Sequence, residues 1–171
     1  MKNKRIIFIF VIIIVICLFA SCKTFDAFLK PSIFSERAEA NKIFVNLLNA
    51  LENEDKESVR SMFAPDMLNG SDTIDDELDE MFNYFNGEII SYEDVGTPAS
   101  SASYQEGELT YLRIGNARSG SVITDCDEYI ISFSAILINK IKPTQEGIWR
   151  IWIGKNSDDY MIIGNSDMPL S

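Results

Sequence analysis

The sequence predicts an α+β domain, with helices gathered on one face of an antiparallel sheet. Two observations carry this expectation. Apolar residues recur at helical spacing up to the "FNG" at residues 85–87, and from Glu88 onward the period shortens to the alternation of strands. No internal repeat is visible, which sets solenoids and propellers aside.

The helices come first. In "ERAEANKIFVNLLNALEN", Ala40, Phe44, Leu47, Leu48 and Leu51 share one helical face, with Ser35 as a candidate cap and the Asn-rich end as a stop. A shorter helix is expected in "DKESVRSMFAP", where Val59, Met62 and Phe63 point one way and Pro65 ends it. The third covers "SDTIDDELDEMFNYFNG" and buries Ile74, Leu78, Met81, Phe82 and Phe85. Asp72 and Thr73 are its capping candidates, and Gly87 closes it. Its acidic residues Asp75, Asp76, Glu77, Asp79 and Glu80 fall opposite the apolar stripe and read as a solvated face.

Strands follow. "EIISYEDV", "GELTYLRI", "DEYIISFSAILINKI" and "GIWRIWIG" each have strand composition, and "YMIIG" is a short fifth. The Ser- and Ala-rich "GTPASSASYQEG" between the first two reads as a mobile loop. On the third strand, alternation sets Tyr129, Ile131, Phe133, Ala135 and Leu137 inward, against Ile130, Ser132, Ser134, Ile136 and Ile138. On the fourth, Trp149, Ile151 and Ile153 oppose Ile148, Arg150 and Trp152. Both sets are largely apolar, so the second face is expected to be covered in part by a partner, a tether or a second copy in a homodimer.

A long helix, a short one, a third and then long strands resemble the nuclear transport factor 2-like, or cystatin-like, cone. More narrowly, "FNGEIISYE" after an acidic helix and "GIWRIWI" near the end resemble an uncharacterised family of Gram-positive lipoproteins placed in that superfamily. The resemblance covers roughly residues 36–155 and implies a sheet curved around the helices with a cavity at its open end. It implies no activity. Tyr92, Tyr129, Phe133 and Trp149 are the candidate lining of such a cavity, for a small apolar or peptide-like ligand. Aromatics in this pattern are more often core than a ligand box.

The N-terminus carries a separate message. Lys2, Lys4 and Arg5 precede an uncharged run from Ile6 to Ala20, and "LFASC" ends it with small residues before Cys22. A basic start, an apolar centre and small residues at the cut are the layout of a secretory signal, and the run is short of the roughly 20 residues that span a membrane. "ASC" resembles the bacterial lipobox, which implies that Cys22 receives diacylglycerol and becomes the mature N-terminus. The expected organisation is therefore a signal peptide over 1–21, a lipidated cysteine and tether over 22–35, and a single α+β cone domain over 36–171. Two acyl chains would hold the protein stably at the outer side of the cell membrane.

Composition prunes the chemistry. Loss of Lys2, Lys4 and Arg5 would take the formal charge from −11 to −14, which repels nucleic acid and anionic membrane surfaces alike. The chain has no histidine, so no His-based general base, catalytic triad or His-ligated zinc can form. Cys126 is the only cysteine beyond the anchor; flanked by Asp125 and Asp127 it reads as a small strand residue with a disfavoured thiolate. "GNARSG" lacks the Lys-Ser/Thr of a phosphate loop, and Asp125, Asp127 and Glu128 in "TDCDEY" lack the loop spacing and turn glycine of a calcium site. No metal and no cofactor is expected. What remains is carboxylate chemistry. The leading expectation is a non-enzymatic module that binds a ligand or an envelope protein. The alternative is a pocket hydrolase or isomerase that pairs Tyr92 or Tyr129 with Asp94 or Asp127.

Overall fold

The computed structural model describes residues 36–165, 168 and 169, and its compact unit begins at Glu36. The signal, Cys22 and tether lie outside the described residues. Among the described residues four helices precede seven strands: α1 (36–52), α2 (Lys56–Ser61), α3 (Pro65–Asn69), α4 (Ile74–Tyr84), then β1 (Ile89–Tyr92), β2 (Ala99–Gln105), β3 (Glu108–Arg118), β4 (Val122–Thr124), β5 (Glu128–Asn139), β6 (Gly147–Gly154) and β7 (Tyr160–Gly164). A short 3-10 turn, Pro143–Gln145, joins β5 to β6. The architecture is α+β with an open antiparallel sheet in the order β1-β4-β5-β3-β2, extended by β6 on β5 and β7 on β6.

α1 buries the expected stripe of Ala40, Phe44, Leu47, Leu48 and Leu51. Asp55 caps α2 by accepting from the Ser58 N–H at 3.0 Å. Pro65 does not end a helix; it opens α3 at the first position, where the missing N–H would have had no partner. Between α2 and α3 the chain crosses β6 in extended form. Phe63 makes a parallel bridge with Ile148, the Ala64 N–H donates to the Ile148 carbonyl at 2.9 Å, and the Ile148 N–H donates to the Met62 carbonyl at 2.8 Å. Gly147 makes this approach feasible: its φ is +130°, and a Cβ there would stand 2.6 Å from the Ala64 nitrogen.

α4 packs through Ile74, Leu78, Met81 and the capping Phe85, whereas Phe82 is only half-buried at the stripe's edge. Thr73 holds the N-cap position without a capping bond; its hydroxyl donates to Glu77 instead. The acidic face is partly engaged. Asp75 and Asp79 pair with Arg60 at 3.0 Å and Lys56 at 2.6 Å, Glu77 accepts from the Gly164 N–H on β7, and Asp76 and Glu80 face solvent.

The expected mobile loop over "GTPASSASYQEG" is instead largely β2. Residues 99–105 pair with β3, and Glu106 and Gly107, both with positive φ, form the two-residue turn that suits the twist of a hairpin. Serine and alanine offered no alternation to read, and the pairing partner supplies the order. β3 runs on to Arg118, and β4 is a strand that alternation did not single out. On β5, Tyr129, Ile131, Phe133 and Ala135 are buried, but a register shift against β6 between Ser134 and Ala135 changes the phase. Ile136 is therefore buried while Leu137 is only half-buried. On β6 Trp149, Ile151 and Ile153 turn inward as expected, and Ile148 is buried as well, beneath the α2–α3 crossing. These side chains join those of the helices in one continuous core.

Candidate binding site on the outer sheet face

The expected pocket aromatics do not converge on a cavity. Tyr129 (0% exposed), Phe133 (2%) and Trp149 (6%) fill the core, and Trp149 Nε1 donates to the Gln145 carbonyl at 2.9 Å. Tyr92, 45% exposed, sets its ring edge-on to Phe44 at 5.8 Å. None of the four lines a described cavity.

One proposed pairing does meet in space. The Tyr129 hydroxyl lies 3.4 Å from Asp127 Oδ2, while Asp94 is exposed and makes no hydrogen bond to either tyrosine among the described residues. That contact belongs to a filled cluster. Lys155 Nζ donates to Asp127 Oδ2 at 2.7 Å and lies over the rings of Tyr84 and Tyr129, 5.3 Å and 5.4 Å from their centroids. The Tyr129 hydroxyl accepts from the Asn86 N–H at 2.9 Å and donates to the Tyr84 carbonyl at 3.1 Å. Tyr84 in turn donates to the Asp159 carbonyl at 2.9 Å and accepts from the Lys155 N–H at 3.2 Å.

The electrostatics of the cluster follow from this geometry. Burial pushes both tyrosines above their ordinary range, and the bond from Asp127 raises Lys155. Such groups keep their protons at neutral pH, so the cluster has the character of a tie between α4, the β4–β5 turn and the β6–β7 turn. Cys126 sits in that first turn, exposed, and not in a strand as its neighbours suggested. The neighbouring Asp125 carboxylate holds its thiol above the ordinary range, with burial and the charge of Asp127 acting the same way.

The opposite face of the sheet carries a different arrangement. Register places Arg118 beside Ser132, Ser132 beside Trp152 and Trp152 beside Ile162, a single row across β3, β5, β6 and β7. One step along, Ser134 lies beside Arg150. Adjacent strands are about 4.8 Å apart, so the long side chains of β3 and β6 stand roughly 10 Å from one another over a floor of two serines on β5. The result is a cavity of about 200 Å³ lined by Asn116, Arg118, Ser132, Arg150, Trp152 and Ile162. Trp152 has a fixed posture. Its ring lies across Gly154, where a Cβ would come within 2.7 Å of it, and stacks on Tyr160 at 5.6 Å and 25°.

Neither Arg118 nor Arg150 forms an ion pair or a side-chain hydrogen bond among the described residues, although the chain carries 26 acidic residues. Two unpaired guanidiniums beside an indole can hold a planar anion attached to an apolar group. Sequence reasoning left these arginines out of the candidate set. The Ser132/Ser134 phase of β5 and the "WRIW" of β6 were the available signals, but Arg118 joins them only through the register of β3.

Among the described residues no cluster of three or more Cys, Asp or Glu could hold a metal ion, and no helix is long and apolar enough to cross a membrane. A family model, described as a domain of unknown function, DUF5104, matches residues 46–158. The curated proteins contain no match.

Proposed function

The chain belongs to the DUF5104 family, and we propose that this member is a lipid-anchored, non-enzymatic binding module at the outer side of the cell membrane. The observation that carries the binding reading is the groove on the outer sheet face, with Arg118 and Arg150 unpaired beside a fixed Trp152. The family match spans five of its six lining residues, Ile162 lying beyond it. Anchoring rests on the "LFASC" stretch, with Cys22 as the acylated residue. Of architectures, the nuclear transport factor 2-like arrangement remains our finer reading of the helix and strand order, with an interior filled by core side chains in place of an open cavity. The filled interior favours binding over the hydrolase or isomerase alternative. The one tyrosine–carboxylate contact that alternative invoked, Tyr129 with Asp127, is already engaged by Lys155, Asn86 and the Tyr84 carbonyl.

Two measurements test this. In cells fed labelled fatty acid, the wild type should incorporate label and Cys22→Ala should not; label retained by the variant would refute the anchor. For binding, the full chain in detergent is screened by thermal shift against small-molecule and peptide pools. The expected result is a ligand recovered chemically unchanged. Turnover of that ligand, abolished by Asp127→Asn with the fold intact, would replace the module with an enzyme.

A further inference from the structure

We propose that the groove takes the C-terminal end of a peptide, with the terminal carboxylate on Arg118 and Arg150 and an apolar last side chain against Trp152 and Ile162. This rests on the binding reading above and adds the class of ligand. Charge selects an anion: these two guanidiniums have no partner among the described residues of a chain of net charge −11, so a bound carboxylate gains two forked donors without displacing an ion pair described there. The floor supports the same choice. Ser132 stands between the arginine of β3 and the indole of β6, and its hydroxyl and the Asn116 side chain supply neutral donors at the edge of the site.

Size limits what enters. A cavity of about 200 Å³ lies below the roughly 300–1,000 Å³ of sites that enclose whole ligands. It suits one residue with its carboxylate, the remainder of the chain leaving across the open sheet face. The apolar wall is preorganised, because Gly154 lets the Trp152 ring lie flat and Tyr160 backs it.

The test uses the full chain in detergent and an N-acetylated tripeptide ending in leucine, as the free acid and as the C-terminal amide. Binding is read by calorimetry and by emission of the half-buried Trp152, with Trp152→Phe identifying the reporter. The free acid should bind and the amide should bind at least about tenfold more weakly, the worth of one charge-assisted hydrogen bond. Arg118→Gln and Arg150→Gln should each weaken the free acid by a similar factor at unchanged melting temperature. Gly154→Ala, which displaces the indole, should weaken both forms equally. Equal binding of acid and amide overturns the proposal. So does equal affinity for 4-methylpentanoate, which has the same side chain and carboxylate on no peptide, since the site would then be one for small acids. Self-association that shields Trp152 would also overturn it, by making this face a homodimer interface. If the tripeptide fails while the ligand screen succeeds, this inference falls and the binding module stands. If both fail, the module falls as well.

Discussion

Replacing Tyr129 by Phe should destabilise the domain by about 2 kcal/mol while leaving its packing intact. The ring is fully buried, edge-on to Tyr84 at 5.9 Å and tilted on Phe85 at 4.9 Å, and phenylalanine preserves those contacts. Only the hydroxyl goes. With it go the acceptor of the Asn86 N–H at 2.9 Å and the donor to the Tyr84 carbonyl at 3.1 Å. A buried group left without its partner costs about 1–3 kcal/mol, more than the roughly 1 kcal/mol that an average hydrogen bond contributes, and these two bonds reach from the buried ring to a partly exposed backbone. A middle value of about 2 kcal/mol corresponds to a fall in melting temperature of roughly 5–8 °C for a domain of this size. Calorimetric unfolding of the two full-length proteins measures it. Tyr160→Phe, on an exposed ring, is the control and should move the transition by about 0.5 kcal/mol or less. A Tyr129→Phe transition within about a degree of wild type would show that the hydroxyl does not bind α4 to β5 as described.

Helix α4 supplies a graded set: Leu78→Ala should cost about 2–5 kcal/mol, half-buried Phe82→Ala distinctly less, and exposed Asp76→Asn about 0.5 kcal/mol or less, with equal losses refuting the orientation of the helix. Cys126 should react slowly with iodoacetamide at pH 8 despite its exposure, and Asp125→Asn should quicken it; no change would remove the carboxylate as the cause. Tyr84, Tyr129 and Lys155 all have folded-state pKa values raised above their ordinary values of 10.0, 10.0 and 10.5. Their contribution is therefore fully present below about pH 10 and is lost as pH rises through the folded values. Alkaline unfolding should accordingly be less steep with pH in Tyr129→Phe than in wild type, and identical slopes would contradict the shift.

α1, α4 and most of β6 were legible because apolar side chains repeat there with one period: Phe44, Leu47 and Leu51 on α1, Ile74, Leu78 and Met81 on α4, Trp149, Ile151 and Ile153 on β6. Local signals failed where structure depends on a distant partner. Pro65 reads as a helix end until the crossing over β6 places it at a helix start, and Ala99–Gln105 reads as a loop until β3 lies beside it. Of the aromatics read as pocket lining, Tyr129, Phe133 and Trp149 do lie on the inward phase of β5 and β6, but inward meant core, and Tyr92 on β1 is exposed. The groove residues escaped for a related reason. Serine at 132 and 134 is an unremarkable outward polar phase, and it becomes a floor only when the irregular register of β3, shifted between Ile114 and Ala117, brings Arg118 alongside.

The crossing of Phe63 over Ile148 has a consequence for how the chain acquires its structure. α2 and α3 are made early, yet the strand that fixes them, and Gly147 that admits them, lie far downstream. Closing so long a loop costs chain entropy before any contact compensates it, which places the domain among slow folders dominated by non-local pairing. A chain emerging end first from a ribosome thus keeps α2 and α3 undocked until β6 appears.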